Sequence, residues 1–292
     1  MQEVFQVTAQ GLQAPHLQAC ERGFHYGDGF FTTALVVEGA ILNWSAHLRR
    51  LRNSAQRLGF AATLAQIETL SQQIAQAYQQ LASVEAAMVL KIMIARGCGG
   101  RGYAPPLCEN ATILLQWSSA PFHWSMSGVT HAPMASMICQ TPISISPALA
   151  GIKHFNRLEN VLARAELDSL DLSEGVMLDV HQHCICGTQS NLVLIEGDAL
   201  VTPSLHKSGV EGTSRYALSQ WAQAFGYQWQ EAEIDLKRLQ QADELFFINA
   251  VRGIQPVAKL EDRVFATEQG MSLQSLWWPQ MQRAALKLGE CP

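Results

Sequence analysis

Lys153 ends an apolar, glycine-containing lead-in, Leu149-Ala150-Gly151-Ile152, and directly precedes an amphipathic stretch, His154-Phe155-Asn156-Arg157-Leu158-Glu159-Asn160. A lysine held at one spot and partly desolvated has a lowered pKa, which frees its amine for Schiff-base chemistry. The same pattern also describes an ordinary surface lysine near a helix start. A second feature is Ser208-Gly209-Val210-Glu211-Gly212-Thr213-Ser214-Arg215, which runs into the helical stretch Tyr216–Ala222. Backbone N–H groups and hydroxyls at a helix N-terminus can cradle a phosphate, although most such turns only cap. Arg49, Arg50, Arg52 and Arg57 could supply charged partners to that phosphate, or lie solvated opposite an apolar stripe.

Two further clusters suggest chemistry that their context rejects. Gly97-Cys98-Gly99-Gly100-Arg101-Gly102 follows a strand-like run and has the spacing of a dinucleotide-binding turn. That fingerprint needs a helix opening at the glycines, whereas Tyr103-Ala104-Pro105-Pro106 follows, and no helix begins so. The loop either presents Arg96, Arg101 and Tyr103 to an anionic substrate or is a plain glycine-rich surface loop. His181-Gln182-His183-Cys184-Ile185-Cys186 resembles a metal site, but an extended backbone puts the histidines on one face and the cysteines on the other. No metal is expected.

The elements that must position these residues are of α/β (α+β) type. Leu35-Val36-Val37 and Ala40-Ile41-Leu42 flank Glu38-Gly39 as a hairpin. Ser45 is placed to cap a helix carrying Leu48, Leu51, Ala55 and Leu58, which Gly59 ends. A second helix is expected over 63–81, with buried strands over 87–94 and 111–115. The stretch from Trp117 to Trp124 reads as a linker, dividing the chain into a smaller domain, 1–118, and a larger one, 119–292, that carries Lys153. Strands near 129–131, 137–140, 176–178, 192–195 and 245–248, and helices ending near Leu170 and spanning 213–225, are expected beyond it.

Composition narrows the partners. The 292 residues are 48% hydrophobic and 15% charged, with a formal charge of −5, which gives no electrostatic reason for a nucleic acid or acidic membrane partner. A small molecule is expected, in a cytoplasmic protein without signal or membrane-spanning segments. The seven cysteines are scattered and odd in number, so most are expected to be reduced.

Together these segments resemble the fold type IV pyridoxal-phosphate enzymes, the class-IV aminotransferase family, across nearly the whole chain. Glu21-Arg22-Gly23-Phe24-His25-Tyr26-Gly27-Asp28-Gly29-Phe30-Phe31 is similar to the family's opening motif, and His47-Leu48-Arg49-Arg50-Leu51 to the helix whose second arginine, Arg50, contacts the cofactor phosphate. The resemblance implies pyridoxal 5′-phosphate as cofactor, Lys153 as its covalent anchor, and Gly212, Thr213, Asn249 and Ala250 closing around the phosphate. It also implies two α/β domains with the cofactor in the crevice between them, in a homodimer. Phe31-Thr32-Thr33-Ala34, Arg96–Tyr103 and Leu149–Glu159 resemble the family's lyase branch, which implies release of pyruvate from aminodeoxychorismate with Lys153 as base and Thr32 or Thr33 assisting. Amino transfer from D-amino or branched-chain amino acids, or a non-catalytic relative, are the alternatives. Cys186 stands where the family's glutamate pairs with the pyridine nitrogen, while Asn191 and the neighbouring Gln189 and Ser190 match the loop lining the cofactor. A thiol cannot form that ion pair.

Overall fold

The computed structural model describes residues 2–106, 110–123 and 128–290. The chain divides into two compact units: Met1–Trp124 with Lys153–Asn156 and Met281–Pro292, and Ser125–Ile152 with Arg157–Gln280. In the first, β1 (Gln2–Thr8), β2 (Gly11–Gln13), α1 (Arg22–Tyr26), β3 (Gly29–Val37), β4 (Ala40–Ile41), α2 (Trp44–Leu58), α3 (Thr63–Glu68), α4 (Leu70–Gln79), β5 (Ala87–Ala95) and β6 (Thr112–Ser119) precede the later excursions. The second holds β7 (Met134–Ile138), α5 (Leu158–Asp168), β8 (Gly175–Leu178), β9 (Cys184–Gly187), β10 (Asn191–Glu196), β11 (Ala199–Pro203), α6 (Thr213–Trp221), β12 (Gln228–Ala232), α7 (Leu236–Gln241), β13 (Glu244–Asn249), β14 (Gly253–Leu260), β15 (Arg263–Val264) and most of α8 (Glu268–Arg283). The short β16 (Leu286–Lys287) returns to the first unit, pairing with β4. No described helix is long and apolar enough to cross a membrane.

Among the described residues, the first unit's sheet runs β16-β4-β3-β5-β6-β1-β2. Burial alternates through its middle: Thr32, Ala34, Leu90, Ile92, Ile94, Ile113, Leu115 and Trp117 are buried, while Phe31, Thr33, Val89, Lys91, Met93, Leu114 and Gln116 form a half-buried stretch of the opposite face. The expected hairpin is present, and Glu38 and Gly39 both take positive φ (48° and 75°), as a tight two-residue turn requires. The α2 helix ends at Gly59 with φ 71°, its N–H bonding Ala55 and Gln56 carbonyls. In the second unit the sheet runs β12-β11-β10-β13-β14-β7-β8-β9, with β15 on β14, and Val176, Leu192, Leu194, Val201, Leu245 and Phe247 form its core.

Several expectations need correction. Asn43 in the left-handed region, not Ser45, precedes α2, and it makes no side-chain cap bond. The helix over 63–81 is two helices broken at Thr69. Trp117 to Ser119 belong to β6, where Trp117 is fully buried opposite Leu90, so the tract that reads as a linker begins later; its end at Trp124 lies outside the described residues. Residues 129–131 are not a strand. The expectation that most cysteines are reduced holds for the described residues, where Cys139, Cys184 and Cys186 are reduced and buried, while Cys20 and Cys98, with Cα atoms 5.1 Å apart beside an isolated bridge between Glu21 and Cys98, form a disulfide. Cys108 and Cys291 lie outside the described residues.

A second ladder sets the position of Lys153. Phe31 N donates to Lys153 O at 2.9 Å, Phe155 N donates to Gly29 O at 3.0 Å, and Phe30 and His154 form a bridge, so residues 153–155 extend the sheet beside β3. Gly29 allows this approach: a Cβ there would overlap the Phe155 ring and lie 2.6 Å from Ile94 O. Gly29→Ala is therefore expected to lower stability by about 1–3 kcal/mol, the usual cost of overpacking. Urea unfolding measures this, and an unchanged midpoint would contradict the close packing.

Candidate active site

In the first unit, the half-buried sheet face gathers the groups that can do chemistry. Lys153 Nζ lies 4.7 Å from the centre of the Phe31 ring, and Lys91 Nζ lies 5.0 Å from the same ring. Phe31 thus presents its ring to two ammonium groups, a cation–π arrangement. Thr33 pairs with Lys91 in the β3–β5 register and shares the face with Phe31. Burial lowers the Lys91 pKa. Sequence reasoning missed Lys91, although a single lysine inside the apolar run Met88-Val89-Leu90-Lys91-Ile92-Met93 was the available signal.

Thr32 points the other way and is fully buried. Its Oγ1 lies 2.7 Å from His47 Nδ1 and accepts from Arg50 Nη1 at 3.3 Å. His47 and Arg50 are one turn apart on α2, so both reach the same hydroxyl. Since arginine only donates, the self-consistent chain runs from Arg50 to the Thr32 oxygen and from the Thr32 proton to a neutral His47. Burial first, and the Arg50 charge second, push the His47 pKa down to about 3. Thr32 is thereby spent between two side chains and orients Arg50, leaving Thr33 as the hydroxyl on the Lys153 face. Of the four arginines on α2, Arg50 is the buried one, while Arg52 pairs with Glu68 on the surface.

The arginines near the glycine-rich loop divide by role. Arg96 is buried, with Nε on Asp28 (2.9 Å), Nη1 on Gly59 O (3.0 Å), Nη2 on Leu58 O (2.7 Å), and its guanidinium 3.9 Å from the Phe60 ring. These bonds hold Arg96 inside the fold, away from the substrate role expected of it. Arg22, which sequence reasoning passed over, shares Asp28 (2.8 Å) and donates to the Gly102, Tyr103 and Ala104 carbonyls, shaping the loop from beneath. Glu21 ties the same segment down, accepting from Gly97 N and Thr112 Oγ1. Arg101 and Tyr103 remain exposed.

In the second unit, α6 opens at Gly212, which is extended and has no room for a Cβ, since one would overlap Asn191 Oδ1. Asn191 Nδ2 donates to Val210 O at 2.9 Å, and Gly151 is bonded on both sides to Gly209 and Glu211. Thr213, Ser214 and Ser208 are buried around this helix start, and the Ser214 and Ser208 hydroxyls have no hydrogen-bond partner within the described chain. Orphaned buried hydroxyls at a helix N-terminus fit a phosphate. The signal for Ser214 lay in the sequence directly after Thr213. Asn249 accepts from Val251 N and Arg252 N and so fixes the turn that includes Ala250. Cys186 is buried opposite Met177 on β9, and it opposes, with Glu159, the fall that burial imposes on the Arg157 pKa. Gln189 is exposed and Ser190 is buried.

The chain matches the amino-transferase class IV model over residues 29–260 and belongs to that family. It is 34% identical over 252 residues to an aminodeoxychorismate lyase of Vibrio harveyi, covering 85% of this chain and 89% of that protein. It also resembles the crystal structure of 4-amino-4-deoxychorismate lyase from Pseudomonas aeruginosa, with a TM-score of 0.81 and 33% identity over 97% of this chain and 98% of that one. A putative branched-chain-amino-acid aminotransferase of Methanocaldococcus jannaschii is 25% identical, covering 85% of this chain and 84% of that protein.

The His47 environment carries a pH signature. Its folded pKa of about 3 lies below the ordinary 6.5, so the unfolded chain binds a proton in that window that the folded chain refuses. Stability from this group is complete above about 6.5 and falls as the pH drops toward 3. His47→Gln is expected to flatten that part of the profile of urea midpoint against pH. Equal slopes in variant and parent would contradict a neutral buried His47.

Proposed function

We propose that this protein is a pyridoxal-phosphate-dependent lyase that converts 4-amino-4-deoxychorismate to 4-aminobenzoate and pyruvate, a step of folate biosynthesis, in the cytoplasm. The observation that carries the reading is the placement of Lys153, Phe31, Thr33 and Lys91 on one sheet face. Likeness to two lyases at 33% and 34% identity over most of the chain supports it. Bound pyridoxal phosphate supplies electron withdrawal from the carbon that bears the substrate nitrogen.

Lys153 would anchor the cofactor, and its Nζ is the base that takes the ring proton beside the substrate nitrogen. The electron pair left behind expels the neighbouring oxygen, pyruvate leaves as its enol, and the ring becomes aromatic. Thr33 donates to the departing oxygen. Lys91, Arg101 and Tyr103 bind the substrate's two carboxylates. In the first unit Arg50, oriented by Thr32 and His47, would contact the cofactor phosphate; in the second, Gly212, Thr213 and Ser214 would donate to it, with Asn191, Asn249 and Ala250 supporting that helix start. Cys186 would stand at the pyridine-nitrogen end of the cofactor, where a thiol forms no ion pair, and aromatisation makes this tolerable because it supplies a driving force that amino transfer lacks.

A homodimer is part of the same reading. Leu158, Val161 and Leu162 are exposed on one side of α5, an apolar stripe that a second copy would cover.

Incubation with 4-amino-4-deoxychorismate is expected to yield pyruvate and 4-aminobenzoate in equal amounts. Thr33→Val should lower kcat about a hundredfold, as loss of a proton donor does, while Thr32→Val should chiefly weaken cofactor binding. Amino transfer to an α-keto acid without aromatic product would favour the aminotransferase alternative instead.

A further inference from the structure

Glu174 has no part in the reading so far. It is buried directly before β8, and its carboxylate accepts from Thr188 N (2.6 Å), Thr188 Oγ1 (2.5 Å), Ser190 Oγ (2.6 Å) and Gln189 N (3.3 Å), besides the adjacent Gly175 N (3.2 Å). Its own carbonyl is pegged by Ser136 Oγ at 2.9 Å. Four of these donors therefore come from one turn, residues 188–190, which joins β9 to β10. Gly187 opens that turn with no space for a side chain: a Cβ would overlap Ser190 Oγ and lie 2.8 Å from Glu174 Cδ.

The turn delivers the chain to Asn191. Asn191 bonds Val210 O, and its Oδ1 closes against Gly212, the residue that starts α6. Carboxylate, turn, asparagine and helix start thus form one contiguous set of packed or bonded groups inside the second unit. Such supporting groups fix the geometry of the groups that touch a ligand.

We infer that Glu174 is a positioning residue for the anion cradle at the start of α6. It acts through the 188–190 turn on Asn191, and so sets where the Gly212, Thr213 and Ser214 donors stand. This rests on the reading that the cradle takes the cofactor phosphate. Loss of the carboxylate leaves several buried donors unsatisfied, and the turn must shift to find water.

The test is titration of cofactor-free protein with pyridoxal phosphate and, separately, with pyridoxal, which lacks the phosphate, followed by absorbance. Glu174→Gln and Asn191→Ala are each expected to weaken pyridoxal phosphate binding about tenfold or more. Each should change pyridoxal binding less than twofold, and the double variant should be little worse than the weaker single, as for residues acting in one chain. Equal loss for both ligands, or unchanged pyridoxal phosphate affinity even with a lowered melting temperature, would overturn the inference. If Glu174→Gln does not fold, Asn191→Ala, which leaves the carboxylate and its turn in place, must still show the selective loss. A parent protein that binds neither compound would overturn the cofactor reading itself, and with it this role.

Discussion

The short ladder between residues 29–31 and 153–155 is the constraint on which the proposed chemistry depends. Two backbone hydrogen bonds and one bridge add a lysine-bearing segment to a sheet whose other strands are set by long apolar registers. A flexible side chain gains a fixed origin in this way, and only its own torsions remain to be ordered. Gly29 permits the approach and Phe31 receives the amine above its ring, so three consecutive residues of β3 set the backbone and the surroundings of Lys153.

Strand alternation then separates duties between adjacent residues. Thr32 faces inward to Arg50 and His47, while Thr33 faces outward beside Lys91. Burying polar groups is costly unless they are paired, and the Arg50–Thr32–His47 chain pairs the Thr32 hydroxyl and His47 Nδ1 while burial keeps the imidazole neutral. The second unit uses the same principle at Glu174, whose carboxylate accepts backbone and hydroxyl donors of a tight turn, and at Asn191, whose amide N–H donates to the Val210 carbonyl. In both units the groups argued to meet a ligand stand on groups whose bonds are already committed inside the fold.

Much of this was legible in the sequence because it was local. The Glu38-Gly39 turn, the Gly59 helix stop, the Lys153 lead-in and the Gly212-Thr213 helix start announce themselves within a few residues. What was misread depended on distant partners. Arg96 reads as a substrate ligand until Asp28 and the Leu58 and Gly59 carbonyls, 37 to 68 positions away, are seen to occupy it. Nothing near Cys20 announces Cys98, 78 residues on, and nothing near Glu174 announces the 188–190 turn. The two threonines could be told apart only once the strand register fixed which face each takes.

Lys91 and Lys153 share one aromatic ring, so the sharpest question is which amine holds the cofactor. Reduction of the protein with borohydride in the presence of pyridoxal phosphate, followed by peptide mapping, answers it directly. The account predicts one stoichiometric phosphopyridoxyl group on Lys153, in the peptide containing Phe155 and Asn156. A group on Lys91, or labelling spread over surface lysines, would contradict it.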